Sequence, residues 1–143
     1  KQAFDDQDIR FIAFDRWNMR NLTPWLLEAG LSEAFIEDRF IPFGQGFQDM
    51  SPAIRVAEEL WIDGLMRHSG HPVLTRCAAN TVVKQDEAGN RKLDKKRSKG
   101  RIDGMVALVM ACSAMEGDTR GGKVLPVDPA DFLEDLSQQA AVG

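Results

Sequence analysis

Two carboxylates at the ends of apolar segments are the residues best suited to chemistry. Asp15 follows the apolar run from Ile9 to Phe14, and Asp103 stands just before the apolar run from Met105 to Met115. Carboxylates held a few ångströms apart repel each other unless a cation neutralises them, and Mg²⁺ and Mn²⁺ prefer such oxygen ligands. If Asp15 and Asp103 meet, they could bind a divalent metal that activates water for phosphodiester cleavage.

Each of these carboxylates also has a purely structural explanation. An Asp in the first turn of a helix, as at Asp103, is stabilised by the helix dipole by about 0.3 to 1 kcal/mol. An Asp at the end of a strand, as at Asp15, is an ordinary turn residue. Taken one at a time, the structural explanation is favoured for both, and only their proximity would favour a metal site.

A basic strip, residues 91–101, lies directly before Asp103. It contains seven basic residues and one acidic residue, in a chain whose formal net charge is −4. One concentrated basic segment on an acidic chain suggests that this segment contacts a polyanion. The alternative is a charged turn exposed to solvent, and the charge by itself favours that alternative. The residues expected to approach backbone phosphates are Lys95, Lys96, Arg97, Lys99 and Arg101.

The first third of the chain predicts two parallel strands joined by a helix. The run from Ile9 to Phe14 is typical of a strand buried on both faces, and residues 39–46 resemble a second strand ending in a glycine loop. Between them, residues 19–29 show helical spacing and end at Gly30. This order predicts a right-handed βαβ unit whose functional edge is at the carboxyl ends of the strands, where Asp15 lies.

The rest of the chain predicts three helices and a hairpin. Ser51 and Pro52 have the types expected at an N-cap and a first turn, and helical spacing continues from there to Leu65. The remaining predicted elements are a short helix from Pro72 to Asn80, a β-hairpin over residues 81–93 and a buried helix from Ile102 to Met115. Trp17, Trp25 and Trp61 could stack on bases, but the same apolar spacing favours a core position for Trp25 and Trp61.

The overall composition predicts one α/β domain over residues 1–115, followed by a linker and a short tail helix over residues 116–143. The chain has 143 residues, 43% of them hydrophobic. Its longest apolar run is shorter than the roughly 20 residues needed to span a bilayer, so no membrane contact is expected. The start at Lys1 lacks a secretory signal pattern, so an internal or processed start is expected.

Cysteine and histidine usage argues against other kinds of site. Cys77 and Cys112 have no CxxC spacing, which favours reduced core thiols and a cytoplasmic location. His68 and His71 have no third nitrogen or sulfur ligand nearby, so zinc is not expected.

Four blocks of sequence resemble a known family. They are "IAFDRWN" (12–18), "FIPFGQGFQDMSPA" (40–53), "HPVLTRCAANTVV" (71–83) and "DKKRSKGRIDGMVAL" (94–108). In this order and spacing they resemble the C-terminal nuclease domain of tailed-phage terminase large subunits, across roughly residues 9–115. The resemblance implies a ribonuclease-H-like fold, a mixed sheet with flanking helices, in which acidic residues bind two Mg²⁺ or Mn²⁺ ions.

The resemblance also assigns roles to the two carboxylates. Asp15 matches the family's strand-end acid, and Asp103 matches its last acid, at the start of the final helix. A further Asp on the family's first strand has no counterpart here, so the fold is expected to lack its first strands. We therefore expect Ile9 to Phe14 to be paired with another chain or rearranged, and we expect weak or absent cutting by this chain alone.

The leading hypothesis is a metal-dependent endonuclease that cuts concatemeric DNA during genome packaging in the bacterial host cytoplasm. By resemblance, its partners are double-stranded DNA, the terminase small subunit and the portal. The alternative from another class is a non-catalytic DNA-binding or packaging-motor interaction module. A third possibility is another ribonuclease-H-like enzyme, such as a resolvase or transposase.

Overall fold

The computed structural model describes residues 9–17 and 22–118. Two short parallel strands, β1 (Ile12–Asp15) and β2 (Phe40–Phe43), pair in register from Ile12 opposite Phe40 to Asp15 opposite Phe43. The predicted parallel pair is therefore confirmed. Asp15 is the last residue of β1, so the predicted strand begins and ends later than expected.

The connection between the strands contains two helices where one was predicted. Helix α1 (Leu22–Glu28) is followed by α2 (Glu33–Arg39). Gly30, at φ +86°, provides the left-handed turn after α1. Ser32 then caps α2, because its hydroxyl oxygen accepts the N–H of Phe35 at 3.2 Å. The predicted start of the first helix, at residues 19–21, lies outside the described residues.

Helix α3 (Phe47–Ile62) begins five residues earlier than predicted, with Gly46 as its N-cap. Ser51 and Pro52 lie inside this helix, so the prediction of Ser51 as a cap was wrong. The Ser51 hydroxyl instead accepts the backbone N–H of Arg91, 40 positions away, at 3.1 Å. The helical spacing extends to Leu65, but the helix ends at Ile62, and Gly64 takes a left-handed φ of +68°.

The remaining predicted elements are present. Helix α4 (Pro72–Asn80) begins after His71, whose ring nitrogen accepts the N–H of Val73 at 3.2 Å. The hairpin consists of antiparallel strands β3 (Val83–Gln85) and β4 (Arg91–Leu93). In the described part of the chain, this pair is separate from β1 and β2. Helix α5 (Asp103–Asp118) includes the first residues of the predicted linker; residues 119–143, with the predicted tail helix, lie outside the description.

The main core lies between α3 and α5. Its buried side chains are Phe43, Met50, Ala53, Ile54, Ala57, Ile102, Val106, Val109, Met110 and Cys112. Strand β1 lies between this core and a smaller one, because Ala13 packs on the main core while Ile12 and Phe14 pack with Ile36 and Phe40. Consequently β1 is packed on both faces, as predicted, although its residues are only half-buried.

Two predicted core residues are on the surface. Trp25 is 66% exposed and Trp61 is 49% exposed. Helix α1 has no buried residue, so its apolar spacing does not reflect a core-facing side. Trp61 lies in the last turn of α3, where its ring stands 6.1 Å from that of His68.

The cysteine prediction is confirmed, because Cys77 and Cys112 are both buried and free. Burial raises the pKa of the Cys112 thiol. Within the described ranges, none of the helices is long and apolar enough to cross a membrane.

Candidate functional site

Asp15 lies at the carboxyl end of β1, where a glycine loop from the neighbouring strand holds it. Its Oδ2 accepts a hydrogen bond from Gln45 Nε2 at 2.8 Å, and its Oδ1 accepts the N–H of Trp17 at 3.0 Å. Gln45 follows β2, so the parallel pairing brings it to the same edge as Asp15. Sequence analysis did not single out Gln45; its place between Gly44 and Gly46, after a predicted parallel strand, was the available signal.

A second carboxylate at this edge was also missed. Asp49, in the first turn of α3, forms an ion pair with Arg16, with Oδ1 2.7 Å from Nη2. Gly44 allows this approach, because a Cβ there would collide with the Asp49 carboxylate and would lie 2.7 Å from Arg16 Nη2. The carboxyl edge of the β1–β2 sheet therefore holds two acids, each with a polar partner.

Asp103 is the first residue of α5, as predicted, and it is paired with the basic strip. Lys95 Nζ lies 3.0 Å from Asp103 Oδ1. The hydrogen bond and charge of Lys95, helped by the charge of Arg101, hold the pKa of Asp103 below its ordinary value. The lowered pKa keeps Asp103 ionised at neutral pH, and its side chain is accessible, at 63% exposed.

The two predicted metal ligands are attached to the same core. Asp15 is opposite Phe43, and Asp103 directly follows Ile102; Phe43 and Ile102 both belong to the main core. Because side chains alternate along a strand, Asp15 shares the face of Ala13, which packs on that core. Helix α5 also packs against β1. The hydrogen-bond partners of the two carboxylates differ, however: Gln45 and Trp17 for Asp15, Lys95 for Asp103.

The donor types at this site fit a hard divalent cation, but the described ligand set is small. Carboxylate oxygens are the ligands that Mg²⁺ and Mn²⁺ prefer. Among the residues that the structure describes, no group of three or more His, Cys, Asp or Glu side chains could hold a metal ion. Asp15 and Asp103 therefore have the type of donor atom that these cations prefer, but they are only two ligands.

The basic strip divides into two parts with different surroundings. Arg91 and Lys92 belong to β4 and contact α3: Arg91 makes two hydrogen bonds of 2.7 Å to Glu58, and Lys92 Nζ lies 4.8 Å from the centroid of the Phe47 ring. The remaining basic residues follow in the strip loop, residues 94–101. All five predicted phosphate contacts lie in this loop and are exposed: Lys95, Lys96, Arg97, Lys99 and Arg101.

Asp94 organises the strip loop. Its Oδ1 accepts the N–H groups of Lys96 at 3.0 Å and Arg97 at 3.3 Å, while its carbonyl accepts the Ser98 hydroxyl at 2.7 Å. Burial acts to raise the pKa of Asp94, but these backbone hydrogen bonds keep it below the ordinary value. The one acid in the strip therefore shapes the turn that presents the cations.

Comparison with known proteins assigns the chain to a family. Residues 3–118 match the family described as "Terminase large subunit, endonuclease domain". The large subunit of terminase from Enterobacteria phage HK97 is 49% identical over 117 residues, which are 82% of this chain and 22% of that protein. The crystal structure of the HK97 bacteriophage large terminase has a TM-score of 0.69 at 47% identity, covering 79% of this chain and 22% of that chain.

The match extends over most of this chain but only about a fifth of each relative, at 22% in both comparisons. The four sequence blocks that suggested the family all lie within the matched residues 3–118. The chain belongs to the endonuclease domain family of terminase large subunits.

Proposed function

We propose that this chain is the DNA-cutting domain of a phage or prophage terminase large subunit, a divalent-metal-dependent endodeoxyribonuclease. It would cut concatemeric DNA during genome packaging in the cytoplasm of the bacterial host, alongside the terminase small subunit and the portal. The observation that best supports this is the position of Asp103, which follows the buried Ile102 at the start of α5 and contacts Lys95 of the strip loop. We further propose a ribonuclease-H-like arrangement in which β1 joins a larger mixed sheet.

In this proposal Asp15 and Asp103 hold the metal. When bound, Mg²⁺ or Mn²⁺ would supply a nucleophilic water and stabilise the leaving oxygen of the phosphodiester. Gln45 keeps the Asp15 carboxylate at the carboxyl edge of the sheet through its 2.8 Å hydrogen bond. Helix α5 fixes the backbone of Asp103, because the adjoining Ile102 is only 2% exposed.

The strip loop would bind the DNA backbone. Its five exposed cations, Lys95, Lys96, Arg97, Lys99 and Arg101, directly precede α5 in the sequence. Contacts with phosphates give affinity with little sequence preference, and they make binding strongly dependent on salt. The substrate of the site is accordingly double-stranded DNA read through its backbone.

The proposal is tested by Asp103→Asn in a complete large subunit that carries this domain. Cutting of plasmid DNA in Mn²⁺ should be lost while the fold is retained, since the amide keeps the shape and removes the charge. Asp63→Asn, at the exposed end of α3, is the matched control and should cut normally. Retained cutting by Asp103→Asn would remove Asp103 from the mechanism.

A second candidate function is a non-catalytic DNA-binding or packaging-motor interaction module. It is favoured by the absence, within the described ranges, of a group of three metal-binding side chains. Titrating this chain with Mn²⁺ while recording amide NMR signals separates the two functions: a metal site predicts broadening at Asp15 and Asp103, whereas two structural acids predict none.

The proposal makes two further predictions about the isolated chain. We expect its plasmid cleavage to be weak or absent, because metal sites need their full ligand sets. We also expect Ile9 to Phe14 either to be paired with another chain, for example a second copy, or to be rearranged. Robust Mn²⁺-dependent cleavage by this chain would contradict the first prediction.

A further inference from the structure

A groove between α4 and the strip loop brings in a basic residue that lies outside the basic strip. Arg76 of α4 faces Lys99 and Arg101 across a groove of about 590 Å³, whose lining also includes Asn80. Among the residues that the structure describes, no carboxylate lines this groove. Within the described residues, none of the three cations forms an ion pair. The groove is therefore a concentration of positive charge without an internal counter-charge.

Close packing fixes the two walls of this groove. Gly100 lies against Asn80, so that a Cβ at Gly100 would be 2.6 Å from Asn80 Nδ2. The same Nδ2 lies 3.5 Å from the carbonyl oxygen of Arg101, to which it donates. Gly104, in the first turn of α5, lies against Cys77, with 3.3 Å between its would-be Cβ and Sγ.

Helical spacing explains why Arg76 is on this wall. Val73, Arg76, Cys77 and Asn80 are three, four and seven positions apart, which places them on one side of α4. Because Cys77 is buried against the start of α5, the adjacent Arg76 is held beside the strip loop. The position of the cation is thus set by packing.

The groove continues toward Asp103. A neighbouring groove of about 370 Å³ shares Lys99, Gly100 and Arg101 with it and is also lined by Lys95 and Asp103. A ligand that occupied both grooves would extend from Arg76, Lys99 and Arg101 to the Asp103 carboxylate. The three cations that line the first groove suit the phosphates of an extended backbone.

We propose that Arg76, together with Lys99 and Arg101, binds backbone phosphates of double-stranded DNA on the path to Asp103. This inference rests on the proposed function and adds α4 to the DNA-binding surface. Val73, which is 63% exposed at the same groove, gives an apolar surface for the deoxyribose.

The test is binding of a fluorescent 20-base-pair duplex to this chain, followed by anisotropy at several salt concentrations without divalent metal. Arg76→Gln should weaken binding by about fivefold to tenfold at 0.1 M salt and reduce the salt-dependence slope by about 0.9, as expected for one lost phosphate contact. Arg76→Lys should preserve most of the slope, since the charge is kept. Arg67→Gln, in the exposed segment before α4, is the matched control and should bind like the unaltered chain.

A second variant protects the test from a folding defect. Val73→Glu introduces a carboxylate at an exposed position of the groove and leaves all three cations in place, so it should also weaken binding. If Arg76→Gln and Val73→Glu bind normally while Lys99→Gln and Arg101→Gln bind weakly, the groove proposal is overturned and the strip loop remains a DNA contact. If the unaltered chain does not bind the duplex, the proposed DNA contact of the strip loop and the groove proposal both fail.

Discussion

Lys95 Nζ lies 3.0 Å from Asp103 Oδ1, so a cation of the basic strip neutralises the carboxylate proposed to bind metal. The two side chains are 48% and 63% exposed. Exposed ion pairs contribute about 0 to 1 kcal/mol, and a divalent cation could therefore replace Lys95 at low free-energy cost. The pair favours the ionised form of Asp103, which is the form that a divalent cation would need.

Removing this competing cation should strengthen metal binding. Lys95→Gln is expected to raise the affinity of this chain for Mn²⁺ by up to about fivefold, which corresponds to about 1 kcal/mol. The measurement is Mn²⁺-induced broadening of the Asp103 amide signal. Lys96→Gln removes the same charge from the next residue and should have a smaller effect. Equal Mn²⁺ affinity in all three proteins would show that Lys95 does not compete for the carboxylate.

Two neighbouring glycines of the loop after β2 should respond in opposite ways to a larger side chain. Gly44 lies against Arg16 and Asp49, whereas a Cβ at Gly46 would have no atom of the described residues within 4 Å. Gly44→Ala should separate the ion pair and lower the free energy of unfolding by about 1 to 3 kcal/mol. Gly46→Ser adds a hydroxyl at the N-cap of α3 and should raise the free energy of unfolding by about a few tenths of a kcal/mol.

Urea unfolding of the two variants gives these values directly. Gly46→Ser also serves as the control, because it enlarges a glycine of the same loop without a collision. If Gly44→Ala were as stable as the unaltered chain, the close approach of Asp49 and Arg16 would not hold in solution. Arg16 also donates its backbone N–H to the Phe43 carbonyl at 3.0 Å, so the edge of the sheet should be disturbed together with the ion pair.

The hairpin turn should depend on pH through Asp86. Its carboxylate accepts the Asn90 side-chain amide at 3.0 Å and the N–H groups of Asn90 and Ala88 at 2.8 and 3.1 Å. The Asn90 side chain is the main cause that lowers the pKa of Asp86 from 3.8. Since the folded pKa is depressed, the stabilisation is present above the unfolded pKa and is lost as pH falls through the folded value.

Asp86→Ala should therefore be less stable than the unaltered chain at neutral pH, and the difference should shrink in acid. Urea unfolding at pH 7 and below the lowered pKa measures this difference. Glu87→Ala, at the next exposed position, controls for the change in net charge. A difference that stayed constant with pH would mean that the ionised carboxylate does not hold the turn.

Local patterns predicted the elements that form the site. The spacing of apolar residues close in sequence predicts the strand before Asp15 and the helix after Asp103. Asp15 lies at the end of its strand and Asp103 at the start of its helix. The hairpin was also predictable, because β-branched residues precede a polar turn. These features need no knowledge of distant parts of the chain.

Contacts between distant residues were not predictable in the same way. Gln45 and Asp15 are 30 positions apart, and Arg16 and Asp49 are 33 apart. Ser51 shows the difficulty: followed by Pro52 it has the type expected of a helix cap, but its hydroxyl bonds to a strand that is formed much later in the chain. The exposure of Trp25 likewise depends on which side of α1 faces the core, and its apolar spacing gave the wrong answer.

The bond between Ser51 and Arg91 should determine how firmly the hairpin is attached to α3. Ser51 Oγ accepts the Arg91 N–H at 3.1 Å, and the Arg91 guanidinium bonds to Glu58 of the same helix. Ser51→Ala removes an acceptor from a half-buried N–H, so it should lower the free energy of unfolding by about 1 kcal/mol. Hydrogen exchange of the Arg91 amide should become faster.

Ser69→Ala, in the exposed segment between α3 and α4, is the matched control and should leave both measurements unchanged. An unaltered exchange rate at Arg91 in Ser51→Ala would contradict the proposed attachment. Strand β4 leads directly into the strip loop, so a loosened hairpin should also reduce the order of Lys95 and its neighbours. Ser51→Ala is therefore expected to weaken binding of duplex DNA slightly, although Ser51 is itself uncharged.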